Sequence, residues 1–239
     1  MKLQVALDVA TLAEALTLSR QVADYVDIIE LGTPLIKHEG VGAISAIKAA
    51  HPEKTVFADM KTADAGELEA QIAFEAGADL CTVMGAADND TIKGAVKAAK
   101  AFGRGIVADM ITVTDRVGRA REVAEMGVDF CEIHAGLDEQ AQEGYSIHTV
   151  IDAGKESGVP FSIAGGITID SIRIVQTAGA LVAVAGGSIR NAHDPAAAKR
   201  LRAAMGRTVN PPGAQRSVTA STDPGPHGLP LGVGPGSAR

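Results

Sequence analysis

Short apolar runs alternate with longer amphipathic stretches along most of the chain. Eight runs read as buried strands: Leu3–Leu7, Val26–Leu31, Thr55–Ala58, Leu80–Met84, Gly105–Ala108, Phe130–Ile133, Phe161–Ala164 and Leu181–Ala185. Helical spacing fills the gaps near 11–22, 41–50, 65–76, 89–101, 115–126, 147–157, 168–177 and 195–204. Strict strand–helix alternation predicts an α/β protein with a parallel sheet. Eight such units are the number that closes a (β/α)8 TIM barrel.

An internal repeat points the same way. Ala73-Phe-Glu-Ala-Gly77-Ala-Asp79-Leu-Cys81-Thr-Val83 matches Val123-Ala-Glu-Met-Gly127-Val-Asp129-Phe-Cys131-Glu-Ile133, 50 positions further on, and Thr177-Ala-Gly179-Ala180-Leu181 is a weaker copy. In each, a glycine is placed to end a helix in the left-handed conformation just before a strand. The period is that of two βα units. After Met205 the pattern stops, and six of the ten prolines follow. The expected organisation is a barrel over 1–205 and a Pro/Gly-rich, disordered tail over 206–239.

Composition narrows the function without choosing it. At 239 residues and 46% hydrophobic, the chain suits one barrel domain. No apolar run reaches the ~18 residues that span a membrane. The N-terminal apolar stretch breaks at Asp8, unlike a signal peptide, so the reading is cytoplasmic with no membrane partner. A net charge of −7 and 3% aromatics argue against nucleic acid. Cys81 and Cys131 lie in apolar runs and read as buried thiols.

Candidate chemistry is sought at the strands' C-terminal ends, where barrels of this kind carry their sites. Thr55-Val-Phe-Ala-Asp59-Met-Lys61-Thr-Ala-Asp64 ends a buried strand in two opposite charges two residues apart, on one side of a regular strand. A structural ion pair would explain that stretch taken singly. Strand 1, however, ends in Asp8, strand 2 in Glu30, strand 5 in Asp109 and strand 6 in His134. Gathered at one rim, these make a polar site. Glu30 and Asp59 end adjacent strands and suit a hard divalent cation, Mg2+ first and Mn2+ as an alternative, unless Lys61 merely bridges them. His134 is the one histidine at a strand end and is the candidate general base. His38, His51, His148, His193 and His227 read as surface residues. Gly165 and Gly166 end strand 7, and Gly186, Gly187 and Ser188 end strand 8, with Arg190 following. They fit a phosphate site, or simply tight turns. Asp64, with Glu67 three residues on, has the layout of an N-cap and its capping-box partner.

Asp59-Met-Lys61-Thr-Ala-Asp64 matches the Asp-x-Lys-x-x-Asp motif of the orotidine 5′-monophosphate decarboxylase superfamily. Glu30-Leu-Gly-Thr-Pro-Leu resembles its Mg2+-dependent branch of hexulose-phosphate synthases and ketogulonate-phosphate decarboxylases. Residues 1–205 are similar to the synthase members. The resemblance implies an aldol condensation of formaldehyde with D-ribulose 5-phosphate through an enediolate, with Mg2+ on Glu30 and Asp59. It implies His134 as the base at C1, Lys61 as donor to an enediolate oxygen, and Asp109 as proton donor or water-positioning group. Asp8 would hold Lys61 or a sugar hydroxyl. It further implies a homodimer in which Asp64 reaches the neighbouring subunit's site. A decarboxylase is the alternative, although His134-Ala-Gly-Leu-Asp138 carries no cation for a substrate carboxylate. A sugar-phosphate-binding barrel without catalysis would use Gly165, Gly186 and Arg190 and leave Asp59, Lys61 and His134 unexplained.

Overall fold

The computed structural model describes residues 1–190 and 196–206. Residues 207–239 of the expected tail, and His193, lie outside the described residues, His227 among them. Eight parallel strands close in sequence order, with β8 pairing back to β1: β1 (Lys2–Leu7), β2 (Ile28–Leu31), β3 (Thr55–Thr62), β4 (Leu80–Met84), β5 (Gly105–Asp109), β6 (Phe130–His134), β7 (Phe161–Ala164) and β8 (Val182–Ala185). Helices α1 (Leu12–Val22), α2 (Thr33–Glu39), α3 (Gly42–Ala50), α4 (Gly66–Glu75), α5 (Asn89–Phe102), α6 (Arg116–Glu125), α7 (Leu137–Gln140), α8 (His148–Ser157), α9 (Ile172–Thr177), α10 (Gly187–Arg190) and α11 (Ala196–Ala204) fall between and after them. This is the expected (β/α)8 barrel.

The strands read as unbroken apolar runs because both of their faces are covered. One set of side chains, including Leu3, Val5, Leu7, Ile29, Val56 and Ile106, packs outward into the core shared with the helices. The alternate set points into the barrel. There Ile28, Phe57, Val107 and Val182, with Leu80 and Phe130 against them, form an apolar floor. Phe57 is fully buried, and cutting such a ring to alanine costs about 3–5 kcal/mol.

The repeat has two structural meanings. Gly77, Gly127 and Gly179 take φ of 103°, 99° and 91°, so each ends its helix left-handed as expected. The aspartate two residues later does a second job. Asp79 Oδ2 accepts from Val56 N, and Asp129 Oδ2 from Ile106 N, both at 2.8 Å. Asp27 Oδ2 does the same for Leu3 N. An aspartate entering each of β2, β4 and β6 thus satisfies a backbone donor at the start of the strand before it.

Several elements differ from expectation. Helix α2 is only seven residues, too short to show a period; Pro34 in its first turn and Gly40 at its end define it. The helix expected over 168–177 begins at Ile172, since Thr168 and Ser171 instead close a turn on each other. His51 is not a surface residue: it is buried, with Nε2 2.9 Å from Ser19 Oγ, and burial lowers its pKa. Strand β3 runs on past Ala58 to Thr62.

Candidate active site

That extension builds the centre of the site. Ala58 pairs with Cys81 and Thr62 with Val83, so four residues of β3 span the length of two on β4. The excess is a bulge. Within it Lys61 has φ of 46°, a left-handed conformation costing an L-residue about 1–2 kcal/mol. Regular strand alternation therefore does not bring Asp59 and Lys61 together. The bulge turns Lys61 back on Asp59, and Thr82 Oγ1 pins it by accepting from Lys61 N and donating to Asp59 Oδ1, both at 2.9 Å.

Lys61 Nζ lies 2.8 Å from Asp59 Oδ2 and 2.7 Å from Asp109 Oδ2. Burial alone would favour a neutral amine, but these two carboxylates hold Lys61 firmly protonated. Thr33 Oγ1 completes the surroundings of Asp59 by donating to its Oδ2 at 2.7 Å. Asp109 is wholly buried and also accepts from Ile111 N and from His134 Nδ1, at 2.9 and 3.1 Å. Burial pushes its carboxyl up, yet His134 and then Lys61 hold it well below the usual range. His134 is pushed down by burial and, more strongly, up by Asp109 and Glu132. Its Nδ1 is engaged by Asp109, which assigns Nε2 as the nitrogen left for a substrate.

Glu30 accepts from Gln4 Nε2 at 2.7 Å inside the barrel. Burial first, then the charges of Asp59, Glu132 and Asp8, hold its carboxyl well above the ordinary range. Such crowding of hard oxygen donors fits a divalent cation, which would relieve the repulsion. Among the described residues, Asp109, Glu132 and His134 form a further group whose donor atoms lie within 4.8 Å of one another. Asp109 is paired there on two sides, by Lys61 and by His134 Nδ1, so we read that group as an ion-paired cluster. Asp8 sits between Gly32 and Gly186, and its backbone carbonyl accepts from Arg190 Nη1 at 2.6 Å. The ammonium of Lys61 bonds Asp59 and Asp109, not Asp8.

At the glycine-ended strands the backbone itself requires glycine. Gly165 has φ of 97°, and a Cβ there would collide with the Ala135 carbonyl oxygen. Gly166 follows at φ of 78°. Gly186 and Gly187 lead into α10, where the buried Ser188 hydroxyl has no hydrogen-bond partner among the described residues. Asp64 is not an N-cap: α4 is capped by Ala65 at φ of 50°, and among the described residues Asp64 Oδ1 accepts only from Ala65 N. Glu67 pairs instead with Lys97. The reason is steric, since the helix starts at Gly66, pressed against the Thr91 carbonyl of α5.

Gln4, Thr33, Thr82 and Glu132 escaped the reading of strand ends because they lie along or beside the strands. For Glu132 a signal existed, as Glu132 and His134 alternate on one face. A cation also stands near His134 that its own loop does not carry. Arg116, from α6, donates to the His134 carbonyl at 3.1 Å and pairs with Glu139.

A closed parallel barrel with a protonated lysine and a carboxylate-backed histidine at its strand ends is the architecture of a (β/α)8-barrel enzyme. Residues 1–201 match the family described as Orotidine 5′-phosphate decarboxylase / HUMPS, and the chain belongs to it. It is 60% identical over 206 residues to a 3-hexulose-6-phosphate synthase of Mycobacterium gastri, covering 86% of this chain and 100% of that one. A crystal structure of a 3-hexulose-6-phosphate synthase, also 60% identical with the same coverage, superposes with a TM-score of 0.86. A 3-keto-L-gulonate-6-phosphate decarboxylase from Vibrio cholerae is 30% identical, with a TM-score of 0.71 over 85% of this chain and 96% of that one.

Proposed function

We propose that the chain is a 3-hexulose-6-phosphate synthase, an aldehyde-lyase that joins formaldehyde to D-ribulose 5-phosphate, giving D-arabino-3-hexulose 6-phosphate. The observation that carries this reading is the run Asp59–Lys61–Asp109–His134, which sets a fixed cation beside a carboxylate-backed base. A relative of that name, matched over its whole length, supports it.

His134, through Nε2, takes the C1 proton of the sugar. Lys61, held protonated, donates to the sugar oxygen on which negative charge develops. The electron pair of the broken C–H bond forms the new bond to the carbon of formaldehyde. The aldehyde oxygen takes the proton back from His134, so the proton lost from C1 ends on the new hydroxyl group. Asp109, held ionised, is no proton donor and acts by orienting His134 and Lys61. Asp8, at the strand 1 rim, serves a sugar hydroxyl. Glu30 and Asp59 would hold Mg2+, or Mn2+, which when bound acts as a Lewis acid on the sugar's oxygens. Gly165, Gly166, Gly186, Gly187 and Ser188 present amides and a hydroxyl to the phosphate, and Arg190 adds its charge.

We further read the protein as a cytoplasmic homodimer. Helix α4, which follows Asp64, exposes Leu68 at 60% and Ile72 at 36%, one turn apart on one face. Two buried, unpaired cysteines accord with a reducing compartment. No helix among the described residues is long and apolar enough to cross a membrane.

The test is direct. Mixed with D-ribulose 5-phosphate and Mg2+, the protein should consume formaldehyde and form one equivalent of hexulose phosphate. No consumption would end the reading. Arg116 beside His134 gives the decarboxylase alternative its one structural support, but Glu139 already neutralises that cation. Release of CO2 from 3-keto-L-gulonate 6-phosphate should accordingly be slow against the condensation.

A further inference from the structure

Below the mouth, the barrel holds a carboxylate that the reaction above leaves without a role. Glu132 is 3% exposed and lies two residues before His134 on β6, so both side chains point inward. Its Oε1 stands 3.7 Å from His134 Nδ1, and its Oε2 accepts from Ser162 Oγ of β7 at 3.3 Å. Asp109, its register partner on β5, approaches the same ring nitrogen at 3.1 Å. One imidazole nitrogen is thus faced by two carboxylates from adjacent strands. A buried carboxyl is costly, and a glutamine of the same shape could keep the Ser162 contact, so packing alone does not call for an acid here.

We propose that Glu132 is a positioning residue of the condensation: from beneath the site it steers the His134 ring and strengthens it as a base. The inference rests on His134 being the base that opens the reaction. The charged groups around this pair are Asp8 from β1, Glu30 from β2, Asp59 and Lys61 from β3, and Asp109 from β5. Burial, then the charge of Asp109, push the Glu132 carboxyl up to about 7, against the pull of His134 and Lys61. Glu132 therefore changes charge where the imidazole must work, and in its ionised form it favours the imidazolium.

The measurement is exchange of the C1 proton of D-ribulose 5-phosphate with deuterated solvent, without formaldehyde and with saturating Mg2+, followed against pH. In Glu132→Gln the acid limb should move to lower pH by about one unit, the scale expected for losing a charge at this range. The plateau should fall several-fold, because the base is weaker. Ser162→Ala, which removes a donor to the ionised carboxylate, should move the limb the same way by less. His134→Gln should lose exchange by about 10²–10⁴-fold. A folded Glu132→Gln protein with an unmoved limb would overturn the role of Glu132 while leaving His134 as the base. Should Glu132→Gln not fold, an unmoved limb in Ser162→Ala decides against the proposal. Wild-type exchange in His134→Gln would overturn the base assignment, and the role of Glu132 with it.

Discussion

Lys61 donates to Asp59 and Asp109 with a single ammonium group, and Asp109 passes the interaction on to His134. The pH dependence of stability follows from the last pair. The Asp109 carboxyl lies below its ordinary 3.8, so its contribution is present above that pH and fades as pH falls through the folded value. The His134 ring lies above its ordinary 6.5, so its contribution is present below that pH and fades as pH rises through the folded value. Asp109→Asn should therefore destabilise most between pH 3.8 and 6.5, by about 3–5 kcal/mol as for one partner of a buried pair, and less on either side. Urea unfolding at three pH values measures this, and a pH-independent deficit would mean the pair is not ionised. At the same scale, excess EDTA should abolish turnover and Mg2+ or Mn2+ should restore it; Asp59→Asn should remain inactive with either ion. Strand ends made Asp8, Glu30, Asp59, Asp109 and His134 legible in the sequence, since an ionisable residue after an apolar run stands out. Thr33, Thr82 and Gln4 did not stand out, because their work is to hold those groups and a lone polar residue in a strand looks like noise.

Between neighbouring elements, the aspartates at 27, 79 and 129 tie the starts of β1, β3 and β5 to the strand that follows each. Asp129→Ala would leave Ile106 N without its acceptor. The expected cost is about 1–3 kcal/mol, read as a lower urea midpoint, with turnover kept because the contact lies at the end of the barrel away from the site. An unchanged midpoint would show that water replaces the carboxylate. The glycine of the repeat was legible as a helix stop, because φ above zero selects that residue. The aspartate two places later was visible in the repeat, but its purpose was not, since its partner lies 23 residues away across a helix. The β3 bulge was hidden for a related reason: register between strands is a property of the pair, and neither strand states it alone.

At the scale of the whole molecule, eight alternating units were enough to predict closure, because a parallel sheet of that number has a barrel as its ordinary solution. The subunit arrangement is a separate matter, and Asp64 tests it. Among the described residues of its own chain Asp64 accepts only from Ala65 N, so Asp64→Ala should cost under about 1 kcal/mol of stability. If it completes the site of a second copy, the variant is nonetheless inactive. Refolding Asp64→Ala together with Lys61→Ala then gives about half mixed dimers, each with one intact site of two, and roughly a quarter of wild-type activity under two-fold symmetry. Inactivity without rescue would place the action of Asp64 within its own subunit. The apolar floor of Ile28, Phe57, Val107 and Val182 bears on kinetics as well as on packing. It seals the barrel from below, so sugar, aldehyde and hexulose share one doorway. A departing product must leave by that doorway before the next sugar can dock, and under the proposed function hexulose phosphate should act as a competitive inhibitor against ribulose 5-phosphate.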